Sequence, residues 1–434
     1  MRIILSLLLI SFALFASDSR TSQSEHLLHN TMRAYYQQPE EQRAQNWWNR
    51  PYLTGDWGGI RATLASAGVT IISSYTTDMV GNPVGGKARG FAYAGSYGAS
   101  VNINCTKAGL TNFELFCSAV WRTGTSLSRD KIGNQFPVQQ VFGSQTVRLN
   151  ELHFVQTLFN NNLVLKVGRL DAGNDFLASP LYGQFVNNGF DGNPISIFFN
   201  VPITAYPNAT WGAYLHLRPF TRLAANFGVY NANTYIQQNK YHGCNFTFKN
   251  TNGLIWITEW CALINQEPTD HGMPGNYKVG FFYLTGNTPK FTGGLQKGDP
   301  CLYFLFDQMI YRRGGPKSTQ GLTPFIAIVL APRNRNLFPL FIDGGLCFKG
   351  LFPSRPDDTA SIGYVYGKYS SIKAQVEMDH GLEAQNFESV LELNYWIQPN
   401  QWLSIVPDFQ YIIHPKGRSI PNAYVLGVQI GIVL

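Results

Sequence analysis

Eight polar side chains with the chemistry to grip a solute gather between positions 122 and 218: Arg122, Arg148, Glu151, Lys166, Arg169, Asp171, His216 and Arg218. All lie on or beside short alternating segments that flank one long irregular stretch, 171–208. Guanidinium and carboxylate groups make paired hydrogen bonds to neighbouring hydroxyls. Opposed across a narrow passage and set near aromatic rings, which accept the apolar side of a sugar, they would orient polyhydroxyl solutes. The plainer reading is that they solvate the wall of a water-filled interior. Strict alternation puts Arg148 and Glu151 on opposite faces of their segment, and likewise Lys166 and Arg169. Either a bulge re-aims one member of each pair or that member sits at a rim.

The segments that must position these groups alternate with a period of two. In 210–218, Trp211, Ala213, Leu215 and Leu217 point one way while Thr210, Gly212, Tyr214, His216 and Arg218 point the other, which defines a strand with one apolar and one polar face. Segments 147–158 and 163–170 make a hairpin through the turn Phe159-Asn160-Asn161-Asn162. The stretch 171–208 is rich in Gly, Asn, Pro and aromatics. Loops this long are functional or disordered, and Phe185, Phe190, Phe198 and Phe199 argue against disorder. Left outside, those rings would invite aggregation, so the loop is expected to fold inward as a constriction.

Along the rest of the chain the pattern repeats. Strands are expected near 69–79, 92–105, 111–122, 147–158, 163–170, 209–218, 222–231, 252–264, 276–286, 301–311, 322–331, 337–348, 359–367, 386–397, 402–413 and 422–434. That is about sixteen, an even number, with short turns tending to alternate with long loops. Glu388 and Glu392 alternate with Leu391, Leu393 and Tyr395, and the final segment sets Tyr424, Leu426, Val428, Ile430, Ile432 and Leu434 on one face. Carboxylates opposite an apolar row imply a wet interior and a lipid-facing exterior. The fold class is therefore all-β, a transmembrane antiparallel barrel of about sixteen strands with an inward-folded loop. A short helix precedes it after Asp56, which is placed to cap it, and Gly68 ends it.

Composition agrees. Only 14% of the 434 residues are charged and 14% are aromatic, while mean hydropathy stays at −0.11, as alternating strands average out. Residues 1–16 have the charged start and short apolar run of a secretory signal, 17–52 form a polar periplasmic linker, and 53–434 form the barrel. The net charge of +7, or +6 without Arg2, is scattered, so no nucleic-acid partner is expected. Cys105, Cys117, Cys244, Cys261, Cys301 and Cys347 lack metal-ligand spacing. No metal or cofactor is expected, whereas disulfides within or between molecules remain open in an exported chain. The run Gly81–Ala88 imitates a phosphate-binding loop but has Ala88 where the hydroxyl belongs and no helix after it.

Five ordered motifs carry a resemblance: LTGDWGGIR at 53–61, FPVQQVFG at 136–143, VRLNEL at 147–152, VGRLDAGNDF at 167–176 and FVNNGFDGNPISIFFNVPITAYPNATWGA at 185–213. From Leu53 to Tyr230 the chain resembles the carbohydrate-selective porin family, the OprB type. The resemblance implies a bacterial outer-membrane barrel of sixteen strands through which sugars diffuse past a narrow polar eyelet. Expected partners are outer-membrane lipid, small sugars or other small solutes, and a homo-oligomer is compatible with the fold. A general or weakly anion-preferring porin is the alternative. An outer-membrane barrel enzyme and a cysteine-cross-linked surface protein are less favoured, because no Ser/His/acid cluster assembles on neighbouring strands.

Overall fold

A strand with alternating faces can bury its apolar row in lipid only if every backbone N–H and C=O finds a partner in a neighbouring strand. The computed structural model describes residues 47–143, 145–190, 192–267 and 269–434; the expected signal segment and most of the expected linker lie outside the described residues. The first half of the wall comprises β1 (Val69–Val84), β2 (Gly90–Asn104), β3 (Phe113–Gly124), β4 (Thr146–Leu158), β5 (Leu163–Leu170), β6 (Thr210–Phe220), β7 (Leu223–Asn231) and β8 (Leu254–Ile264). The second comprises β9 (Gly275–Pro289), β10 (Leu295–Gln308), β11 (Tyr311–Arg312), β12 (Gly321–Leu330), β13 (Leu340–Lys349), β14 (Thr359–Lys368), β15 (Phe387–Trp396), β16 (Leu403–Ile413) and β17 (Ala423–Val433). The two-residue β11 continues the stave of β10, both pairing with β12, so the wall has 16 staves. Each expected segment overlaps one of them, with ends that differ by up to six residues.

Every neighbouring pair is antiparallel, and β17 returns to pair with β1 from Ser74↔Val433 to Val84↔Tyr424. That pairing closes the barrel and leaves no exposed edge. The outer face carries Trp256 and Trp260 on β8, Tyr277, Phe281 and Tyr283 on β9, and Tyr424 and Leu426 on β17, all exposed, as a lipid-facing surface requires. On β17, Gln429 faces inward and donates to Asp78 Oδ1 at 2.8 Å.

The helix Ile60–Ser66 lies against β1 near the end of the wall where the chain enters and leaves. Asp56 does not cap it through its side chain; Gly59, at φ +93°, occupies the cap position instead. The two glycines Gly58 and Gly59 turn the backbone through left-handed conformations, and the carbonyl of Asp56 accepts from the Arg61 N–H at 3.3 Å. Arg61 then straps the seam: its guanidinium donates to the carbonyls of Leu434 at 2.6 Å and Ile71 at 3.2 Å and lies over the Tyr52 and Trp57 rings.

Inside the barrel, the stretch 171–208 crosses the interior as expected. Near its start, the Leu177 N–H donates to Glu259 of β8 at 3.0 Å, and Lys278 of β9 donates to the Ala178 carbonyl at 2.7 Å. At its far point, the N–H groups of Val186 and Asn187 donate to Glu392 of β15 at 2.7 and 2.9 Å. The loop 125–145 enters beside it, joined by Gln140 N–H to the Val186 carbonyl at 3.0 Å and Asn188 N–H to the Pro137 carbonyl at 2.8 Å. Glu388 accepts from the N–H groups of Gln135 and Phe136 at 2.7 Å each. The wet face expected around Glu388 and Glu392 is thus sealed. These carboxylates are buried because the two loops cover them, and the loops' own N–H groups replace water.

The loop aromatics pack where the wall lacks side chains. Phe185 and Phe190 stack with centroids 4.4 Å apart, and a Cβ on Gly363 of β14 would lie 2.6 Å from each ring. Gly367 makes the same room for Phe136.

Two outcomes test this arrangement. Val428, the middle residue of β17 and on its lipid face, should cost about 2–4 kcal/mol when changed to Arg, measured by urea unfolding from liposomes. Glu392→Ala strands two buried N–H groups at about 1–3 kcal/mol each. It should make residues 185–190 cleavable in limited proteolysis and the single-channel current noisy; a quiet, uncleaved variant would mean that the glycine sockets alone hold the loop.

Candidate functional site

The bulge that the charge spacing demanded lies between β3 and β4. Cys117 pairs with Leu152 and Ala119 with Leu149, so Asn150 and Glu151 both oppose Ser118. The extra residue resets the alternation. Arg148, opposite the buried Val120, and Glu151 therefore share the inner face. The Glu151 N–H donates to Ser118 Oγ at 3.2 Å, closing the bulge.

The second pair, Lys166 and Arg169, shows no such reset. Lys166 opposes Val155 and Tyr214 on the inner face, whereas Arg169 opposes Leu152 and Trp211 on the outer one. Arg169 is nonetheless buried. The staves β5 and β7 have only 8 and 9 residues, and the loop 232–253 folds across the wall beside them. Arg169 donates to the Asn245 carbonyl at 2.7 Å and the Ala209 carbonyl at 2.9 Å, beneath the Phe246 ring. Arg148 reaches the same loop from inside, donating to the Gln237 carbonyl at 2.9 Å and Asn239 Oδ1 at 3.3 Å. The Leu149 N–H donates to the His242 carbonyl at 2.9 Å, so the loop extends the sheet at the β4 edge.

Three of the remaining residues hold the start of the inner loop. Glu151 accepts from the Asp171 N–H at 3.0 Å and from Asn174 at 3.1 Å. Asp171 accepts from the Gly173 N–H at 3.0 Å and caps the turn Ala172–Asp175. Lys166 pairs with Asp175 at 2.6 Å; burial raises the Asp175 carboxyl above its usual range, and the Lys166 charge opposes that rise. His216 meets Asn226 at 2.7 Å, and Asn226 in turn donates to Glu259 at 3.1 Å. Arg218 sits by the β6–β7 turn, donating to the Thr221 carbonyl at 2.7 Å and pairing with Glu267.

Arg122 is buried on the lumen side of the wall, with its guanidinium packed against Gly143. It lies on the inner face of β3 with its guanidinium 5.0 Å from the Tyr206 ring centre, and Tyr206 is 42% exposed. A Cβ on Gly98, on the inner face of β2, would stand 3.2 Å from the Tyr206 hydroxyl. Arg148 is two residues from Arg122's cross-strand partner Thr146 on the same face, a diagonal neighbour at about 7–8 Å. The sequence pointed to the loop's phenylalanines, but these are packing groups; the exposed ring is Tyr206. Its position beside Pro207, where the loop turns into β6, was the available signal.

The cysteines form no disulfides: all six are free. Cys261, Cys301 and Cys347 are buried on the inner faces of β8, β10 and β13. Even β8 and β10 are two strand spacings apart, about 10 Å, beyond disulfide reach.

Comparison with known proteins matches this geometry. The family model described as carbohydrate-selective porin, OprB family, covers residues 88–434. Porin B of Pseudomonas aeruginosa is 25% identical over 425 residues, covering 88% of this chain and 91% of that protein. The putative porin QuiX of Acinetobacter baylyi is 26% identical, covering 89% and 94%. The high-pH structure of Pseudomonas putida OprB superposes with a TM-score of 0.83 at 23% identity, over 90% of this chain and all (100%) of that one. With closed wall, inward loops and family model in agreement, the chain belongs to the OprB family of carbohydrate-selective porins and is a channel of the bacterial outer membrane.

Proposed function

We propose that the conducting passage runs along the inner faces of β1, β2 and β3 and is narrowest beside the exposed Tyr206 ring, whose hydroxyl rests against the wall at Gly98 near Arg122. The supporting contrast is in burial. Inner-face residues Ser74 of β1, Gly98 and Ser100 of β2, and Phe116 of β3 are half-buried, whereas Glu388, Val390 and Glu392 of β15 are sealed beneath the loops. The solute crosses unchanged, so the reading needs no catalytic group.

At this point the Tyr206 ring offers the face away from Arg122 to the C–H side of a sugar, and the buried Arg122 guanidinium supports the ring and keeps the wall positive. Arg148 adds a second, buried guanidinium on the adjacent stave, two residues nearer the β2–β3 turn. Glu151, Lys166, Asp171, His216 and Arg218 support the passage by fixing the loop and the lower wall, and Arg169 by fixing the outer loop. Two fixed positive charges also favour anions over cations, so a weak anion preference accompanies sugar passage.

The experiment is single-channel recording with and without glucose as the probe sugar. Arg122→Ala removes the guanidinium that supports the Tyr206 ring; it should weaken sugar block of the current about 3- to 10-fold and lower anion preference. Gly98→Leu should close most of the conductance, and Tyr206→Ala should raise it. Wild-type behaviour in all three variants would place the constriction elsewhere.

A further inference from the structure

We infer that the lumen holds a second sugar subsite below the constriction, built by Phe116 and Glu114 of β3 with Asn102 of β2, which binds a pyranose on its way out. The inference rests on the passage proposed above. Phe116 shares the inner face with Arg122, six residues along the strand, or about 20 Å lower. That is too far for one monosaccharide to touch both sites.

Three observations converge there. Phe116 pairs with Asn102 on one side and His153 on the other. The His153 ring lies 5.0 Å from it, tilted 35°, which fixes the phenyl plane while the side chain stays half-buried. Glu114, the next inner-face residue, opposes Asn104. Asn102 donates to one Glu114 oxygen at 2.8 Å and Asn104 to the other at 3.4 Å. The carboxylate is thus oriented, yet only two of its roughly four acceptor positions are used.

An aromatic face beside a pre-oriented carboxylate is what a pyranose needs: C–H groups stack on the ring, and vicinal hydroxyls donate to the acid. The neighbouring inner-face positions Gly98 and Ser100 carry little side chain, leaving room over the ring. An anion would be repelled by Glu114, so the two subsites differ in character: the upper one is cationic and the lower one anionic. A neutral polyol is accepted by both, whereas a charged solute is disfavoured by one of them.

The test is single-channel recording with glucose added to each side in turn, on variants first shown to be folded by heat-dependent gel migration. Phe116→Ala and Glu114→Gln should each shorten the glucose-induced closures about 3- to 10-fold, and Phe116→Trp should retain them. Loss should be greater for sugar entering from the side of the β2–β3 turn. If both variants match wild type while Arg122→Ala shortens the closures, this subsite is wrong and the constriction stands. If Arg122→Ala is silent but Phe116→Ala is not, the constriction is wrong and the lower site stands. Absence of glucose block in the wild type overturns both.

Discussion

A buried backbone N–H must have an acceptor, and this molecule meets that demand in two different solvents. In the hydrocarbon layer the acceptors are neighbouring strands, and the β1–β17 pairing supplies the last of them. Inside the barrel two long loops lie away from water without a ladder of their own. Their N–H groups are met by wall carboxylates: Glu392 at Val186 and Asn187, Glu388 at Gln135 and Phe136, Glu259 at Leu177, and Glu151 at Asp171. A carboxylate can accept several such bonds at once, which is why acidic residues anchor this interior.

The same loops decide where solute can pass. They are pressed toward β8 to β16 by these hydrogen bonds and by the aromatic sockets at Gly363 and Gly367. On β1 and β2 the inner face carries the short residues Ser74, Gly98 and Ser100, and the proposed passage lies beside them. The short staves β5 and β7 add a second asymmetry, since the wall there is covered by the loop 232–253, held from outside by Arg169 and from inside by Arg148.

The sequence by itself determined the wall. Period-two alternation marks each stave, down to which face of β17 meets lipid, because side-chain direction along a strand is a local property of the backbone. It also determined that 171–208 turns inward, since that many aromatic rings cannot remain in water. The site was legible only in part: the clash of Arg148 and Glu151 with strict alternation called for either a bulge or a rim position, without saying which.

Tertiary structure decided the rest. Only the register of β3 against β4 places the bulge opposite Ser118 and turns Glu151 inward. Only the fold of a loop some seventy positions later shows that Arg169 is buried on the outer face. Glu388 and Glu392 look like lumen-solvating acids in the sequence, and become loop anchors once two distant segments lie over them. Gly98 of β2 and Tyr206 of the inner loop come into contact from segments about a hundred residues apart. Each of these depends on which residues from remote parts of the chain share a space, and hydrophobic periodicity along one strand carries no information about that.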